Sequence, residues 1–310
     1  MSYIKSLSEL SKDSISCCGV KASYLAELAQ NDIPVPKGFV ITSEAFIDFL
    51  EKSEVDDKVK DFFTKYKPGD KKFLAMVNAA VKAYFRDFKL PNDFTDELTK
   101  SFEDLNSPYV AVRSSAGRID GDENFWKHKF MSFMNTDHEY LVGAIKACWS
   151  SLFAPDCIEH AYKAGLFEGG KVEVQLAVMV QEMFQVESSG ICVMEDGKAI
   201  IKAFFGLGQG GKSGEIDPDT YTVNKQGFKA LDVKVMKQDK KYVLLEEEGI
   251  LRNDWIEIES EGDMQKLTEN EIEELTKYWY NAEKVLGFPC VIEWGKTKDN
   301  FYVFQAEKVE

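Results

Sequence analysis

Two positions in the first half of the sequence could bind a phosphorylated ligand. Arg113 follows the apolar run Tyr109 to Val112 and precedes two serines. An arginine at the end of a buried strand, next to hydroxyl groups, suits a bidentate grip on phosphate. Lys21 follows Gly19 at the start of a helix, where backbone N–H groups already favour anions. A structural ion pair and a surface lysine are the simpler interpretations of these two residues.

Two further candidates lie in the second half of the chain. The glycine-rich stretch Gly206 to Gly214 follows an apolar run, and glycines let backbone N–H groups approach an anion or a ribose. Its spacing is not that of the GxxxxGK[ST] phosphate loop, so a flexible loop is the simpler interpretation. Glu293 and Gln305 lie on two predicted facing strands. Their oxygens suit Mg²⁺, although such a pair is usually only polar surface.

Helices and strands that would position these residues follow one another along the chain. Helical spacing of apolar residues predicts helices at 21–30, from Thr42 or Ser43 to 50, within 55–105, within 138–166 and at 269–286. Short apolar runs predict strands at 39–41, 109–112, 172–180, 290–294 and 301–305, and strand-rich stretches at 188–195, 198–208, 220–227 and 240–247. This order predicts an α+β protein, with a helix-rich part over 1–170 and a sheet-rich part over 171–310 that meet near Gly169-Gly170.

Charge and composition exclude several classes of protein. The 310 residues carry 38 Lys+Arg against 53 Asp+Glu, a net charge of −15, whereas nucleic-acid binding needs clustered cations. No apolar run approaches the roughly 20 residues that span a bilayer, and the N-terminus lacks the apolar core of a secretion signal. We therefore expect a cytoplasmic protein with neither a nucleic-acid nor a membrane partner. Six cysteines without a CxxC pair predict buried reduced thiols, with Cys17-Cys18 as a weak redox candidate.

Eight short motifs occur in a fixed order from about residue 15 to residue 305. They are GxK at Gly19–Lys21, IPVPKGFVIT, VAVRSSA, CWSSLF, VxVQEM, SGICV, GLGxxxxSGEIDPDTYxV, and IEW followed by a strand with a central glutamine. Together they resemble the nucleotide-binding domain of phosphoenolpyruvate synthase, pyruvate phosphate dikinase and rifampicin phosphotransferase. The resemblance implies an ATP-grasp fold, in which two α+β subdomains clamp a nucleotide.

The resemblance also implies a reaction and a set of site residues. Domains of this family transfer the β-phosphoryl group of ATP to a histidine on a separate domain, with AMP and phosphate as products. By this resemblance Lys21 and Arg113 contact the phosphates as the catalytic residues, while Glu293 and Gln305 bind Mg²⁺. The other residues expected to bind ATP are the adenine segment Gln181, Glu182 and Met183, and the glycine-rich residues Gly208 and Gln209.

The chain departs from the family pattern at four places. Val291 stands where the family has an acidic residue two positions before the metal-binding glutamate. Glu307 stands where an arginine normally faces the phosphates, two positions after the metal-binding glutamine. Gln209 replaces the glutamate of a GLGE motif, and the region 125–130 lacks the glycine of the family's phosphate loop.

Three functions remain open on these grounds. The first is an ATP-dependent phosphotransferase module that acts on a histidine of another protein or of missing C-terminal domains, with Lys127 or Lys129 replacing the lost positive charge. The second is a nucleotide-binding pseudo-enzyme or interaction module of the same fold. The third is a ligase-like enzyme with a small acceptor, which fits the motifs less well. His128 and the two other histidines lie outside any phosphohistidine context, and the sequence does not name the final acceptor.

Overall fold

The computed structural model describes residues 2–53, 55–117, 119, 126, 129–166, 174–212, 214–247 and 250–309. Only the backbone is described for Asp56, Phe63, Lys212 and Ile250. Several residues named above lie outside the described part of the chain: Phe125, Lys127, His128, Gly169, Gly170 and Val172.

The chain forms two compact units. The first comprises Met1–Ser23 and Lys37–Met183, and the second comprises Tyr24–Pro36 and Phe184–Glu310. The chain therefore passes from one unit to the other after Ser23, Pro36 and Met183. The division into functional subdomains at residue 170 stays a prediction, because the residues around it are not described.

The described part of the first unit contains a five-stranded antiparallel sheet. Its strands are β1 (Ile4–Ser6), β2 (Gly38–Ile41), β3 (Val110–Ala116), β4 (Ser132–Thr136) and β5 (Leu176–Glu182). They are arranged in the order β1-β2-β5-β3-β4, so β5 is central and hydrogen-bonds to β2 on one side and to β3 on the other.

Amphipathic helices pack around this sheet. They are α2 (Ser43–Lys52), α3 (Val55–Lys65), α4 (Lys71–Asp87), α5 (Asn92–Leu105), α6 (His138–Ser150) and α7 (Pro155–Lys163), while α1 (Ile15–Gln30) begins in this unit. Short 3-10 turns occur at Leu7–Glu9, Lys12–Ser14 and Ser151–Phe153. Aromatic rings fill the core; the centroid of Phe49 lies 4.7 Å from that of Phe85 and 5.1 Å from that of Trp149. Burial of these rings contributes to the stability of the unit.

The described part of the second unit is richer in strands. They are β6 (Ser188–Glu195), β7 (Lys198–Phe205), β8 (Asp219–Val223), β9 (Ala230–Lys234), β10 (Lys240–Glu247), β11 (Ile250–Glu257), β12 (Cys290–Lys296) and β13 (Phe301–Lys308). Six form an antiparallel sheet in the order β13-β12-β6-β7-β8-β9, and β10 pairs with β11. The helices are α8 (Gly208–Lys212) and α9 (Glu269–Leu286). Trp279 of α9 donates from Nε1 to the Cys290 carbonyl at 2.8 Å, which ties this helix to one face of the sheet.

The mixed helix and sheet architecture confirms the predicted α+β class. The helix at 269–286 and the C-terminal hairpin are also confirmed, and the apolar face of Ala45, Phe46, Phe49 and Leu50 on α2 is buried. Several predicted strand boundaries were wrong, and the strands β1, β4, β9 and β11 were not predicted. β3 continues through Arg113 to Ala116 because its pairing with β5 continues that far, so Arg113 is not at a strand end. β5 extends to Glu182 for the same reason.

No single helix of the described residues is long and apolar enough to cross a membrane. The bent pair His138–Phe153 and Pro155–Lys163 meets the length and composition criteria together.

Candidate functional site

Lys21 is positioned by a close contact between α1 and β3. The helix is kinked at Gly19, which has φ 76° and ψ 169°. A Cβ atom at this residue would lie 2.1 Å from the Ser115 carbonyl oxygen, so only glycine allows the two backbones to approach. The Ser115 hydroxyl donates to the Cys18 carbonyl at 2.7 Å and accepts from the Ala22 N–H at 3.1 Å. Ser115 thus caps the helical segment on which Lys21 lies.

Arg113 lies on the same strand, two residues before Ser115. Alternate residues of a strand share a face, so Arg113 projects from the face of β3 against which the start of α1 packs. Its side chain is only 9% exposed, and its backbone pairs with Met179 and Ser132 on the neighbouring strands. The structure therefore brings the segment that carries Lys21 close to Arg113. The sequence pattern gave Ser115 no separate role; the adjacent hydroxyls were its only signal.

The opposite face of β3 is buried against α6. Ser114 donates from its hydroxyl to the Met131 carbonyl at 2.9 Å, and the Cys148 thiol donates to the same carbonyl at 3.4 Å. Burial raises the pKa of Cys148 to about 12, although hydrogen bonding with Ser114 and the charge of Lys21 act in the other direction. The positive charge of Lys21 therefore lies close enough to β3 to act on Cys148, which is buried from water.

The predicted adenine segment ends β5. The backbone N–H of Glu182 donates to Lys37 O at 2.9 Å, and the N–H of Met183 donates to Tyr109 O at 3.2 Å. These two donors are therefore already used within the first unit. Gln181 is 3% exposed, and its amide nitrogen has no hydrogen-bond partner within the described chain. A buried polar group without a partner is uncommon, so the amide of Gln181 is the strongest candidate for a ligand contact in this segment.

The predicted metal ligands face each other in the second unit. The two strands face each other as the sequence predicted, and their register places Glu293 of β12 directly opposite Gln305 of β13, with a bulge after Glu293. Gln305 is 5% exposed and donates from its amide nitrogen to the Glu307 carboxylate. This hydrogen bond fixes the orientation of the amide and gives Glu307 a contact that sequence reasoning missed.

Two of the four departures from the family pattern occupy one structural position. Val291 and Glu307 are direct partners across β12 and β13. The family pattern would place an acidic residue opposite an arginine here, and this chain places an apolar residue opposite an acidic one. The two departures are therefore neighbours on the same pair of strands.

The glycine-rich stretch is packed against the protein's own aromatic side chains. A Cβ at Gly210 would lie 2.8 Å from the ring of Trp255, and one at Gly211 would lie 2.3 Å from the ring of Phe204. At Gly208 the nearest atom would be the Ser189 hydroxyl at 3.5 Å, which leaves this glycine more open. Gln209 accepts at Oε1 from the Asn253 amide at 3.3 Å. Packing explains Gly210 and Gly211, and Gly208 is the stronger candidate for a close approach to ligand.

A buried ion pair supports the DPDTY motif. Lys266 Nζ lies 3.0 Å from Asp219 Oδ1, and both side chains are 0% exposed. Asp219 Oδ1 also accepts from Met236 N–H, while Oδ2 accepts from Lys266 N–H and from the Tyr221 hydroxyl. Burial and the hydrogen bond to Asp219 raise the pKa of Tyr221. The motif was quoted above without a role, and this network gives it a structural one.

Other candidate groups contribute less. Lys129, predicted to replace a lost positive charge, lies 2.5 Å from the Asp156 carboxylate in an ion pair. The Cys17 and Cys18 sulfurs lie 3.2 Å apart as free thiols. Among the described residues there is no group of three His, Cys, Asp or Glu that could hold a metal ion, so a Glu293–Gln305 site would depend on an amide ligand.

Comparison with known proteins gives one family over nearly the whole chain. The family model described as "Pyruvate phosphate dikinase, AMP/ATP-binding domain" matches residues 15–310. The chain is 29% identical over 325 residues to a probable phosphoenolpyruvate synthase of Methanocaldococcus jannaschii, which covers 100% of this chain and 27% of that protein. It is 26% identical over 366 residues to a phosphoenolpyruvate synthase of Pyrococcus furiosus, which covers 99% of this chain and 44% of that protein. The chain therefore spans less than half the length of these curated relatives.

Among solved structures, D-alanyl-alanine synthetase A from Vibrio cholerae is similar to the chain at a TM-score of 0.30 and 12% identity. This match covers 70% of the chain and 47% of the synthetase. A likeness of that size carries no argument about fold or function.

Proposed function

The chain belongs to the family of pyruvate phosphate dikinase AMP/ATP-binding domains, and from that premise we propose that it is an ATP-dependent phosphotransferase module. It transfers the β-phosphoryl group of ATP to a histidine on a separate domain or protein, and AMP and phosphate are the products. An ATP-grasp fold that clamps the nucleotide and a cytoplasmic location belong to the same proposal. The observation that carries it is the packing of Gly19 on Ser115, which holds Lys21 at a helix N-terminus beside the strand of Arg113.

Lys21 and Arg113 have the chemistry that phosphoryl transfer requires. The reaction needs its phosphates positioned in line and their charge neutralised, with little covalent help from the protein. Arg113 is held nearly buried on β3, where its guanidinium would act in a low dielectric. Backbone N–H groups at the capped start of the α1 segment would add to the grip of Lys21. We propose these two residues as the catalytic pair.

The oxygens of Glu293 and Gln305 fit a magnesium ion. They lie on directly opposed residues of two antiparallel strands, and one is a carboxylate and the other an amide, a donor set that Mg²⁺ accepts while keeping several waters. The hydrogen bond from the Gln305 amide nitrogen to Glu307 directs the amide oxygen away from Glu307. When bound, the ion would neutralise phosphate charge.

The adenine and ribose contacts are proposed at the remaining predicted residues. The Gln181 amide supports an adenine contact, since it is buried and has no hydrogen-bond partner within the described chain. Glu182 and Met183 would contribute through their carbonyls, because their N–H groups bond to Lys37 and Tyr109 and their side chains already accept from the N–H groups of Lys37 and Asn135. Gly208 and Gln209 are the proposed contacts in the glycine-rich stretch.

A second candidate function is a nucleotide-binding pseudo-enzyme. The observation in its favour is the Val291–Glu307 pair, which places a carboxylate where the family pattern has a phosphate-facing arginine. A carboxylate beside the phosphates would repel them and lower the rate of transfer more than it lowers binding.

Calorimetry with ATP and MgCl₂ tests the binding step. Arg113→Ala should weaken Mg-ATP binding about tenfold or more, since a charge-assisted hydrogen bond is lost. Arg86→Ala is the matched control, because Arg86 is an exposed arginine of the same unit and pairs with Asp87. Equal affinities for the two variants would remove Arg113 from the phosphate site.

ATP labelled in its β-phosphoryl group tests the transfer step. The labelled nucleotide is incubated with the chain and a purified phosphohistidine-domain protein. The proposal expects acid-labile label on that protein together with stoichiometric AMP. Tight Mg-ATP binding without AMP from any such partner would instead favour the pseudo-enzyme.

A further inference from the structure

A row of directly opposed residues connects the proposed metal ligands to Lys202. Backbone pairing joins Gln305 to Glu293, Glu293 to Ile191, and Ile191 to Lys202 across four strands of the sheet. Directly opposed residues of antiparallel strands project from the same face. Lys202 therefore shares a sheet face with both proposed magnesium ligands, at two strand spacings or about 10 Å from Glu293.

The position of Lys202 on this face is fixed by its neighbours. Ile201 and Ala203 are completely buried, so Lys202 projects from the opposite face, where it is half-buried. A Cβ at Gly190 would lie 1.8 Å from the Lys202 carbonyl oxygen, so this glycine lets β6 and β7 approach at this point. The backbone that carries Lys202 is thus held in the interior of the sheet.

Unlike several lysines of its unit, Lys202 has no acidic partner within the described chain. Lys225, Lys240 and Lys266 pair with Glu283, Glu215 and Asp219. Within the described chain the side chain of Lys202 forms neither a hydrogen bond nor an ion pair. A half-buried ammonium loses part of its hydration, so an anionic ligand at this face would gain a strong interaction with it.

The same face lacks the cation that the family pattern supplies at position 307. Glu293 and Glu307 are both acidic and lie on the paired strands β12 and β13, of which β12 is next to β6. A polyanion such as ATP would bind poorly against two carboxylates unless a cation compensated. Lys202 is suited to do so because its long flexible stem can direct the ammonium along the face.

We propose that Lys202 binds a phosphate oxygen of Mg-ATP and takes the place of the arginine that Glu307 replaces. This proposal rests on the proposed function, since it assumes that Mg-ATP binds at Glu293 and Gln305. It makes Lys202 a residue that determines affinity for the phosphates of the nucleotide, with no role toward its base.

The test compares ligands with and without phosphate across matched variants. Calorimetry measures the Kd of Mg-ATP and of adenosine for the unmodified chain, Lys202→Met, Lys202→Arg and Lys234→Ala. Lys202→Met keeps most of the apolar stem, and Lys234 is the matched control because it lies in the same row, two strands farther along on the exposed edge strand β9. We expect Lys202→Met to weaken Mg-ATP binding by about ten- to a hundredfold and to leave adenosine unchanged. Lys202→Arg and Lys234→Ala should stay within about threefold of the unmodified chain.

A double variant that moves the positive charge from position 202 to position 307 provides an independent test. Glu307→Arg introduced into Lys202→Met should restore Mg-ATP affinity, because it returns a cation to the same face. Mg-ATP affinity that is unchanged in Lys202→Met overturns the role of Lys202 while leaving the proposed function intact. An equal loss for ATP and adenosine, or a lowered Tm, would mean a structural role and would also overturn it. If the unmodified chain does not bind Mg-ATP, the proposed function and this inference both fail.

Discussion

The two units hold their candidate residues by different interactions. In the first unit, Lys21 depends on a glycine backbone in contact with β3 and on the neutral hydroxyl of Ser115. In the second unit, the strand after the glycine-rich stretch depends on a fully buried ion pair between Asp219 and Lys266. A close backbone contact therefore positions Lys21 in the first unit. In the second unit, an ion pair between buried side chains stabilises the strand β8. Single substitutions should therefore destabilise the two units for different reasons: a steric clash in the first unit and an unpaired buried charge in the second.

The largest effect is expected from breaking the ion pair. Asp219→Ala leaves the Lys266 ammonium buried without its counter-ion, which should lower the free energy of unfolding by about 3–5 kcal/mol. Urea unfolding followed by circular dichroism measures it. Asp239→Ala is the control, because this exposed carboxylate pairs with the exposed Lys237 at the surface of the same unit, and its loss should change stability by less than about 1 kcal/mol.

A double substitution sharpens the interpretation. Asp219→Leu combined with Lys266→Met removes both charges, and it should recover much of the stability lost in the single variant. If the double variant is as unstable as Asp219→Ala, the hydrogen bonds from Met236 and Tyr221 to this carboxylate matter more than the ion pair.

The next largest effect is expected at the steric contact. Gly19→Ala places a methyl group 2.1 Å from the Ser115 carbonyl oxygen and strains a residue with φ of 76°, so we expect a loss of roughly 2–5 kcal/mol. Mg-ATP affinity should fall as well, since Lys21 is displaced. Gly143→Ala is the matched control, because it lies within α6 with nothing within 4 Å of its Cβ position. That control should be neutral or stabilise by up to about 1 kcal/mol.

Much of the fold could be predicted from local pattern alone. The helix at 269–286 has a capping box at Thr268 and Glu271 and a left-handed glycine at 287, and short apolar runs predicted the two strands of the C-terminal hairpin. Even the pairing of Glu293 with Gln305 followed from the two strands and the short turn between them. Local spacing is enough where partners are close in sequence.

Long-range contacts could not be predicted in this way. The contact of Gly19 with Ser115 joins residues 96 positions apart in sequence, and no local pattern indicates it. Likewise, alternation places Lys202 on a face of β7, but only the order β12-β6-β7 places that face beside Glu293. The extent of β3 past Arg113 was missed because Arg113, Ser114 and Ser115 are polar yet buried.

A smaller effect is expected from the hydroxyl that caps the α1 segment. Ser115→Ala removes one donor and one acceptor bond in a fully buried position, so stability should fall by about 1–3 kcal/mol. Ser101→Ala is the control, since its hydroxyl bonds only to the Glu97 carbonyl of its own helix. A neutral result for Ser115→Ala would mean that the glycine contact alone positions Lys21.

The smallest effect per residue concerns buried thiols at alkaline pH. Burial raises the pKa of Cys148, Cys157 and Cys290 from an ordinary value of 9.0 to about 12. Since the native state keeps these protons while the unfolded state releases them above pH 9, stability is fully present below pH 9 and falls as pH rises toward 12. Each thiol should contribute a fall of about 1.4 kcal/mol per pH unit in that window.

Cys148→Ala tests this linkage, because the variant lacks one of the titrating thiols. Urea unfolding at pH 7.5, 9 and 10 should show a shallower fall with pH for Cys148→Ala than for the unmodified chain, by about 1 kcal/mol between pH 9 and 10. The comparison of slopes cancels the cost of the cavity, and Cys17→Ala controls for the loss of a half-buried thiol. Identical slopes would mean that Cys148 titrates alike in both states, so that the charge of Lys21 and the hydrogen bonding of Ser114 offset its burial. In that case the interior around Cys148 would be more polar than its burial implies. Electrostatic interactions, and not only the contact of Gly19 with Ser115, would then contribute to the environment of Lys21.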